Sequence, residues 1–366
     1  MSSPLRPIRQ GIALKNRKNI RSAPTLRDIA REVGVHVSTI SRALNPGSPH
    51  AVSPDLAEKI RRASHRRGYR RNAAAYLLKT SRSRTIGVVV PDITDPVFPP
   101  IIRGIEDGLA EHEYVAILAN TDGDARRQIQ TIAAMRPRGV DGMILASVTR
   151  NDPEVSKAVA GAPVVTISRQ TDDPRFSSVV HDEEDGIGQI LTHLVSLGHR
   201  RIAAIAGPQS VSTGFKRYAS FVKYGNQLGL DAKTMPAVFA RSFNEKEGER
   251  CAEELLASGQ PFTALACAND RLAVGAVAAF RRHGVECPTD ISVTGFNDMM
   301  FADCLSPPLT TIRVQHHKAG IEAARLIVDL IENAADARHI VLPVELVVRG
   351  STKSPLKSQE VKGPRP

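Results

Sequence analysis

Residues 25–45 read Thr25-Leu-Arg-Asp28-Ile-Ala-Arg-Glu-Val33-Gly34-Val-His36-Val37-Ser38-Thr39-Ile40-Ser41-Arg42-Ala-Leu44-Asn45. Thr25 is a hydroxyl N-cap with an acid three residues later, near the positive end of the helix that follows. Leu26, Ile29, Ala30 and Val33 recur at helical spacing, Gly34 breaks the helix, and Val35 follows as an apolar plug. A second helix is expected over about 37–44 with Ile40 and Leu44 inward. After the Asn45-Pro-Gly-Ser-Pro49 loop, Ser53-Pro54 opens a third helix, with Ser as N-cap and Pro at the first helical position. It carries Leu56, Ile60 and Ala63 inward and Lys59, Arg61, Arg62, Arg66 and Arg67 outward. Two short helices around a glycine turn, braced by a third, make a helix-turn-helix.

The surrounding charge agrees with that reading. Residues 1–84 hold 19 Lys/Arg against 4 Asp/Glu, a net of +15, while residues 85–366 hold 30 against 34, a net of −4. A small, strongly basic head on a slightly acidic body is the polarity of a nucleic-acid-binding module attached to something else. Residues 1–24 contain Arg6, Arg9, Lys15, Arg17, Lys18 and Arg21 without an acid or an apolar period, and read as a disordered basic arm.

Thr25 to Asn45, continued by Gly68-Tyr69-Arg-Arg-Asn72-Ala-Ala-Ala75-Tyr-Leu-Leu78, resembles the DNA-binding head and hinge of the lac repressor (LacI/GalR-type) family. The resemblance implies a helix-turn-helix domain over 25–71 and a hinge helix with linker over 72–84. It makes the helix from Val37 the recognition helix. Val37 would pack on a thymine methyl, Ser38 would hydrogen-bond a base edge, and Arg42 would fork onto guanine. Thr39 and Ser41 would hold phosphates, and Thr25, Tyr69, Asn72 and Ala75 complete the DNA-contact set. The hinge is too short to be a stable helix alone; in the family two such helices pair in the minor groove, where Leu78 would wedge between base pairs. Two residues depart from the family pattern. His36 stands where Ser is usual as N-cap, so the helix is expected to start differently, and Arg71 replaces a Pro before Asn72.

Beyond Arg84 short apolar runs alternate with amphipathic stretches. Strands are expected at Thr85–Pro91, Val115–Thr121, Asp141–Ser147, Pro163–Ser168, Arg201–Gly207, Ala237–Ala240, Ala264–Asn269 and Ile291–Phe296. Helical patterns between most of them give βαβ spacing, hence an α/β body of parallel, doubly wound sheets in two halves. The segments Leu197-Gly-His-Arg-Arg-Ile202, Asn269-Asp270, Asp290-Ile-Ser-Val-Thr-Gly-Phe296 and Pro307-Pro-Leu-Thr-Thr-Ile312 are similar to recurring segments of the same family, whose body has a type I periplasmic-binding-protein fold. That implies an effector-binding and dimerisation domain over 85–350. Its first lobe would hold about 85–183 plus 315–342, and its second about 184–314 plus 343–350. Residues 351–366 read as a polar, frayed tail.

In such sheets ligands bind beyond the carboxyl ends of strands. Carried over by motif position, the cleft wall comprises Asp95, Phe98, Ser147, Arg169, Thr213, Arg217, Asn269 and Asn297. Polar groups at strand ends suit a hydroxyl-rich ligand and Phe98 supplies an apolar face, while Arg169 or Arg217 can fork a carboxylate. Asn297 stands where sugar-binding relatives commonly have Asp; losing that acid while keeping two arginines points toward an acidic sugar.

Catalytic signatures are missing: there is no P-loop, no G-x-S-x-G and no H-E-x-x-H. Asp182-Glu-Glu-Asp185 reads as acids at a helix N-terminus, and His316-His317, being consecutive, do not share a helix face. No 18-residue apolar run is present, no apolar leader precedes the basic arm, and the four cysteines show no C-x-x-C spacing. The expectation is a cytoplasmic, nucleoid-associated transcription regulator, most simply a repressor, without catalysis, metal or cofactor. Its partners would be near-palindromic double-stranded DNA, a sugar or sugar-acid effector, and a second copy in a homodimer, with a tetramer as the larger alternative. The competing reading is a ligand-binding protein or enzyme with a vestigial basic head. A single-stranded RNA binder is disfavoured because the head has no aromatic stacking platform.

Overall fold

Three short helices follow from the caps and apolar spacing of the basic segment: α1 (Leu26–Val33), α2 (Val37–Ala43) and α3 (Pro54–Arg66). They are seen in a computed structural model that describes residues 24–44, 52–69, 82–159, 161–333 and 336–355. The Thr25 backbone N–H and hydroxyl both donate to the Asp28 carboxylate, at 2.9 and 2.7 Å, and Gly34 ends α1 at φ 78°, a left-handed conformation that favours glycine. Ile29, Ala30, Val33, Ile40, Ile60 and Ala63 form the head's core, with Leu44 and Leu56 half-buried against it. Arg66 and Arg67 both pair with Glu32 and so tie α3 to α1. One expectation is corrected: His36 does cap α2, its Nδ1 accepting from the Ser38 N–H at 3.3 Å, and the helix starts at Val37. The arm up to residue 23, and Asn72, Ala75 and Leu78 of the hinge, lie outside the described residues. The chain divides into two compact units between Ser81 and Arg82.

The body is α/β, as its βαβ spacing predicts. Its first lobe runs β1 (Thr85–Val90), α4 (Phe98–Ala110), β2 (Val115–Asn120), α5 (Ala125–Met135), β3 (Gly142–Leu145), α6 (Pro153–Val159), β4 (Val164–Ile167) and β5 (Ser177–His181). The second continues with α7 (Glu183–Ser196), β6 (Ile202–Ala206), α8 (Ser212–Gln227), β7 (Ala237–Phe239), α9 (Glu245–Ala257), β8 (Ala264–Cys267), α10 (Asp270–Arg282) and β9 (Ser292–Thr294). The chain closes with β10 (Thr311–Arg313), α11 (His316–Asn333), β11 (His339–Leu342) and β12 (Glu345–Val347). The first sheet has the order β11-β5-β4-β3-β1-β2 and the second β7-β6-β8-β9, every pairing in them parallel; β10 and β12 form an antiparallel pair.

All eight expected strands are present with trimmed ends, and β5, β10, β11 and β12 are additional. β5 lies in the long gap left between Ser168 and Arg201; its Ser-Ser start weakens the apolar signal. β10 and β12 pair antiparallel and fall outside the βαβ alternation by which equally short strands such as β7 and β9 are read.

α11 returns to the first lobe, where Ala319, Ala323 and Ile327 pack with Ile101, Ile105 and Leu109 of α4. The two helices approach so closely that a Cβ on Gly104 would lie 2.0 Å from the His317 carbonyl oxygen, and one on Gly320 would lie 2.2 Å from that of Ile101. The expectation of a frayed tail is corrected for residues 351–355. Ser351 is buried, its Oγ donates to the Val293 carbonyl at 2.6 Å, and its carbonyl accepts from the Val293 N–H at 2.8 Å. Polar residues stay ordered there because the edge beside β9 offers them backbone partners.

Candidate DNA-reading helix and ligand cleft

On α2 only Ile40 is fully buried. Ser38 and Arg42 are exposed, Thr39 and Ser41 are half-buried, and Val37 is half-buried against the head's core. The Arg42 guanidinium folds along its own helix, donating to the Ser38 carbonyl at 3.3 Å and the Thr39 hydroxyl at 3.4 Å. Thr25 is exposed, its side chain engaged in the cap. Tyr69 leans on the head's core, and its N–H bonds the Ser64 carbonyl at 2.9 Å.

In the body, all eight cleft residues named from sequence line one cavity of about 970 Å³ between the lobes: Asp95, Phe98, Ser147, Arg169, Thr213, Arg217, Asn269 and Asn297. Strand ends supply most of them, and α8 supplies Thr213 and Arg217. Asp95 and Phe98 follow β1, Ser147 follows β3, Arg169 follows β4, and Asn269 follows β8. Their chemistry differs more than their placement. The Asn269 side-chain oxygen caps α10 by accepting from the Leu272 N–H at 2.9 Å, so its amide N–H groups remain for the cleft. Asn297 sits at φ 115°, and its Oδ1 accepts from Arg217 at 3.5 Å.

The reading of Arg217 as a free fork is corrected. Its Nε and Nη2 donate to the Glu183 carboxylate, Nη1 donates to the Ala268 carbonyl at 2.5 Å, and the guanidinium stacks 3.7 Å above the Phe296 ring. Both partners are 6 % exposed, so this charge is neutralised within the protein. The reading of Asp182–Asp185 as helix-end acids holds for Asp182, whose carboxylate caps α7 through the Asp185 N–H; Glu183 turns inward instead. Sequence had no signal for this, because the partners are 34 residues apart.

His181 and His316 also line the cleft, their rings 5.9 Å apart in an edge-on arrangement. His317 points elsewhere, to Asp107 at 2.9 Å. Burial, reinforced by His316 and Arg217 and opposed by the Gln315 backbone, lowers His181 to a pKa of about 3. Burial lowers His316 to about 4, with the nearby Asn297 backbone and Asp298 opposing and Arg217 adding to the shift. Both imidazoles are therefore neutral at pH 7. His181 Nε2, both ring nitrogens of His316 and the Ser147 and Ser168 hydroxyls are buried without a partner in hydrogen-bonding geometry.

Arg169 makes no hydrogen bond or ion pair among the described residues, and desolvation, opposed by Asp95, lowers it to about 10. Asp95 is itself raised by burial and pairs across the cleft with Arg271 at 3.4 Å, while Arg271 also holds Glu245 at 2.7 Å. Behind the wall, burial raises Asp270 to about 7, although it accepts from the Thr311 hydroxyl at 2.5 Å and the Met299 N–H at 2.7 Å. Among the described residues no helix is long and apolar enough to cross a membrane, and no cluster of three metal-ligating side chains occurs.

A helix-turn-helix head in one chain with a two-lobed body around a polar cleft defines a DNA-binding regulator with a ligand-binding domain. Residues 25–72 match the bacterial regulatory proteins of the lacI family, and residues 191–352 match a periplasmic binding protein-like domain. The chain is 32% identical over 335 residues to the HTH-type transcriptional regulator RegA of Clostridium saccharobutylicum, covering 90% of this chain and 99% of that one. It is 30% identical over 344 residues to the HTH-type transcriptional repressor CytR of Escherichia coli strain K12, covering 92% and 98%. The solved Lac repressor dimer bound to operator and the anti-inducer ONPF matches with a TM-score of 0.78 at 27% identity, over 91% of this chain and 100% of that chain. The chain belongs to the LacI family of bacterial transcription regulators.

Proposed function

We propose that this transcription regulator is a homodimeric repressor that reads a near-palindromic operator and changes its DNA affinity when a small polar metabolite, a sugar or sugar acid, occupies the cleft. The convergence of eight residues from several strand ends and from α8 on one interlobe cavity carries the effector half of this reading. Val37, Ser38 and Arg42 are assigned to bases and Thr39 and Ser41 to phosphates, with Thr25, Tyr69, Asn72, Ala75 and Leu78 completing the DNA contacts. The domain limits are those given above, and the protein acts in the cytoplasm, on the nucleoid, without catalysing a reaction. A symmetric dimer fits because a single head spans only a few base pairs. Selection of bound duplexes from random DNA tests it. Enriched sites should contain two inverted half-sites; a single unrepeated half-site bound by a monomer would overturn it.

A further inference from the structure

The arginines that line the cleft are not equivalent. Arg217 is spent on Glu183 and the Ala268 carbonyl, and Arg271 on Glu245 and Asp95. Arg126 and Arg241 are exposed. Arg169 is half-buried in the cleft wall, and its guanidinium bonds nothing among the described residues. A partly desolvated cation without a hydrogen-bond partner gains from an anion that meets it. The one carboxylate acting on it, Asp95, is already held by Arg271 and by the Val97 N–H at 3.0 Å. The remaining unpartnered groups are neutral: two hydroxyls, on Ser147 and Ser168, Nε2 of His181 and both ring nitrogens of His316. A neutral imidazole offers one donor and one acceptor, the complement of a hydroxyl.

Resting on the regulator reading above, we infer that the effector is a polyhydroxylated monocarboxylate. Arg169 forks its carboxylate, and Ser147, Ser168, His181 and His316 bind its hydroxyls. Arg126 and Arg241 stay exposed at the rim, so the one uncommitted guanidinium set into the wall, Arg169, stands beside one acid and matches a single negative charge better than a phosphate dianion.

The test is calorimetry on the full-length protein with matched probes: D-glucose, D-glucuronate, D-gluconate and glucose 6-phosphate, and D-galactose with D-galacturonate. At least one carboxylate should bind roughly tenfold or more tightly than its neutral parent, as a charge-assisted hydrogen bond provides. Arg169→Gln should erase that preference, while Arg136→Gln, outside the cleft, should keep it. In the ligand-free protein Arg169→Leu should leave Tm unchanged or raise it, because it removes an uncompensated charge. The inference is overturned by a panel in which no acid outbinds its neutral parent. A phosphate ester that outbinds the carboxylates, an acid preference that survives in Arg169→Gln, or a Tm lowered by Arg169→Leu has the same consequence. A protein that selects a duplex from random DNA yet prefers no acid removes this inference alone; one that selects no duplex removes the regulator reading with it.

Discussion

Arg217 and Glu183 close on each other at the floor of the cleft, each 6 % exposed, the guanidinium donating through both Nε and Nη2 to the carboxylate. The pair joins α8 to the start of α7 and sets the Arg217 plane over Phe296 at 3.7 Å. Its role is to shape the wall while adding no net charge to it.

Breaking that pair from one side strands a charge in the interior. Glu183→Leu should destabilise the body by about 3–5 kcal/mol, because the remaining guanidinium is desolvated without its counter-ion. Adding Arg217→Met should recover a substantial part of the loss. Denaturant unfolding of the single and double variants checks this; a double variant as unstable as the sum of both singles would show the two residues acting separately.

Stability should fall on mild acidification. Unfolded histidines titrate near 6.5, whereas the folded values are about 3 for His181 and about 4 for His316. The unfolded chain therefore binds more protons below pH 6.5, and their contribution, complete above that pH, is lost as pH falls toward the folded values. Asp270, raised from 3.8 to about 7, has the opposite sign: its contribution is present below pH 3.8 and lost as pH rises toward 7. Two histidines outweigh one carboxyl, so Tm should drop by roughly 5 °C or more from pH 7 to 4.5. In the His181→Gln, His316→Gln double variant that drop should shrink, leaving the smaller part owed to His193 and His199, which burial also lowers, as scanning calorimetry across pH would register.

The ion pair between Asp95 on the first lobe and Arg271 on the second, 3.4 Å apart, holds one side of the cleft. Other interlobe contacts include the Arg150 N–H to the Ser210 carbonyl at 2.9 Å and the Gln170 N–H to the Ser212 hydroxyl at 2.8 Å. Asp95→Asn should loosen the lobes and speed amide exchange at Arg150 and Gln170 roughly tenfold, equivalent to about 1.4 kcal/mol of closure. Unchanged protection at both amides would mean the pair does not hold the lobes together.

On the recognition helix, Arg42→Ala should cost about 1–3 kcal/mol on the preferred duplex and relax selection at one base pair. Arg66→Ala should weaken all duplexes alike and also lower head stability, since Arg66 bridges α3 to Glu32. Binding-site selection with both variants separates the two effects; identical sequence preferences for Arg42→Ala and the unmodified protein would move the reading surface elsewhere.

Much of this molecule follows from local sequence. Thr25 and Asp28 cap α1 through atoms three residues apart, Gly34 stops it by its own φ, and the βαβ spacing of the body follows from apolar runs whose burial each strand carries within itself. The eight cleft residues came from motif positions of the resembled family; strand ends in a parallel sheet converge on one side, which brings six of them together, while Thr213 and Arg217 come from α8. Side-chain partnership was not legible, because it is decided by distance in space and by desolvation. Glu183 reads as one acid among four until α8 brings Arg217 against it, and His181 meets His316 across 135 residues. Ser351 lies in a polar run that only the edge beside β9 makes orderly. Sequence alone therefore determined the head, the layered body and the position of the cleft. The tertiary structure decided which of its charges are spent and which is left for a ligand, because only there are the desolvation of each group and the reach of its neighbours set.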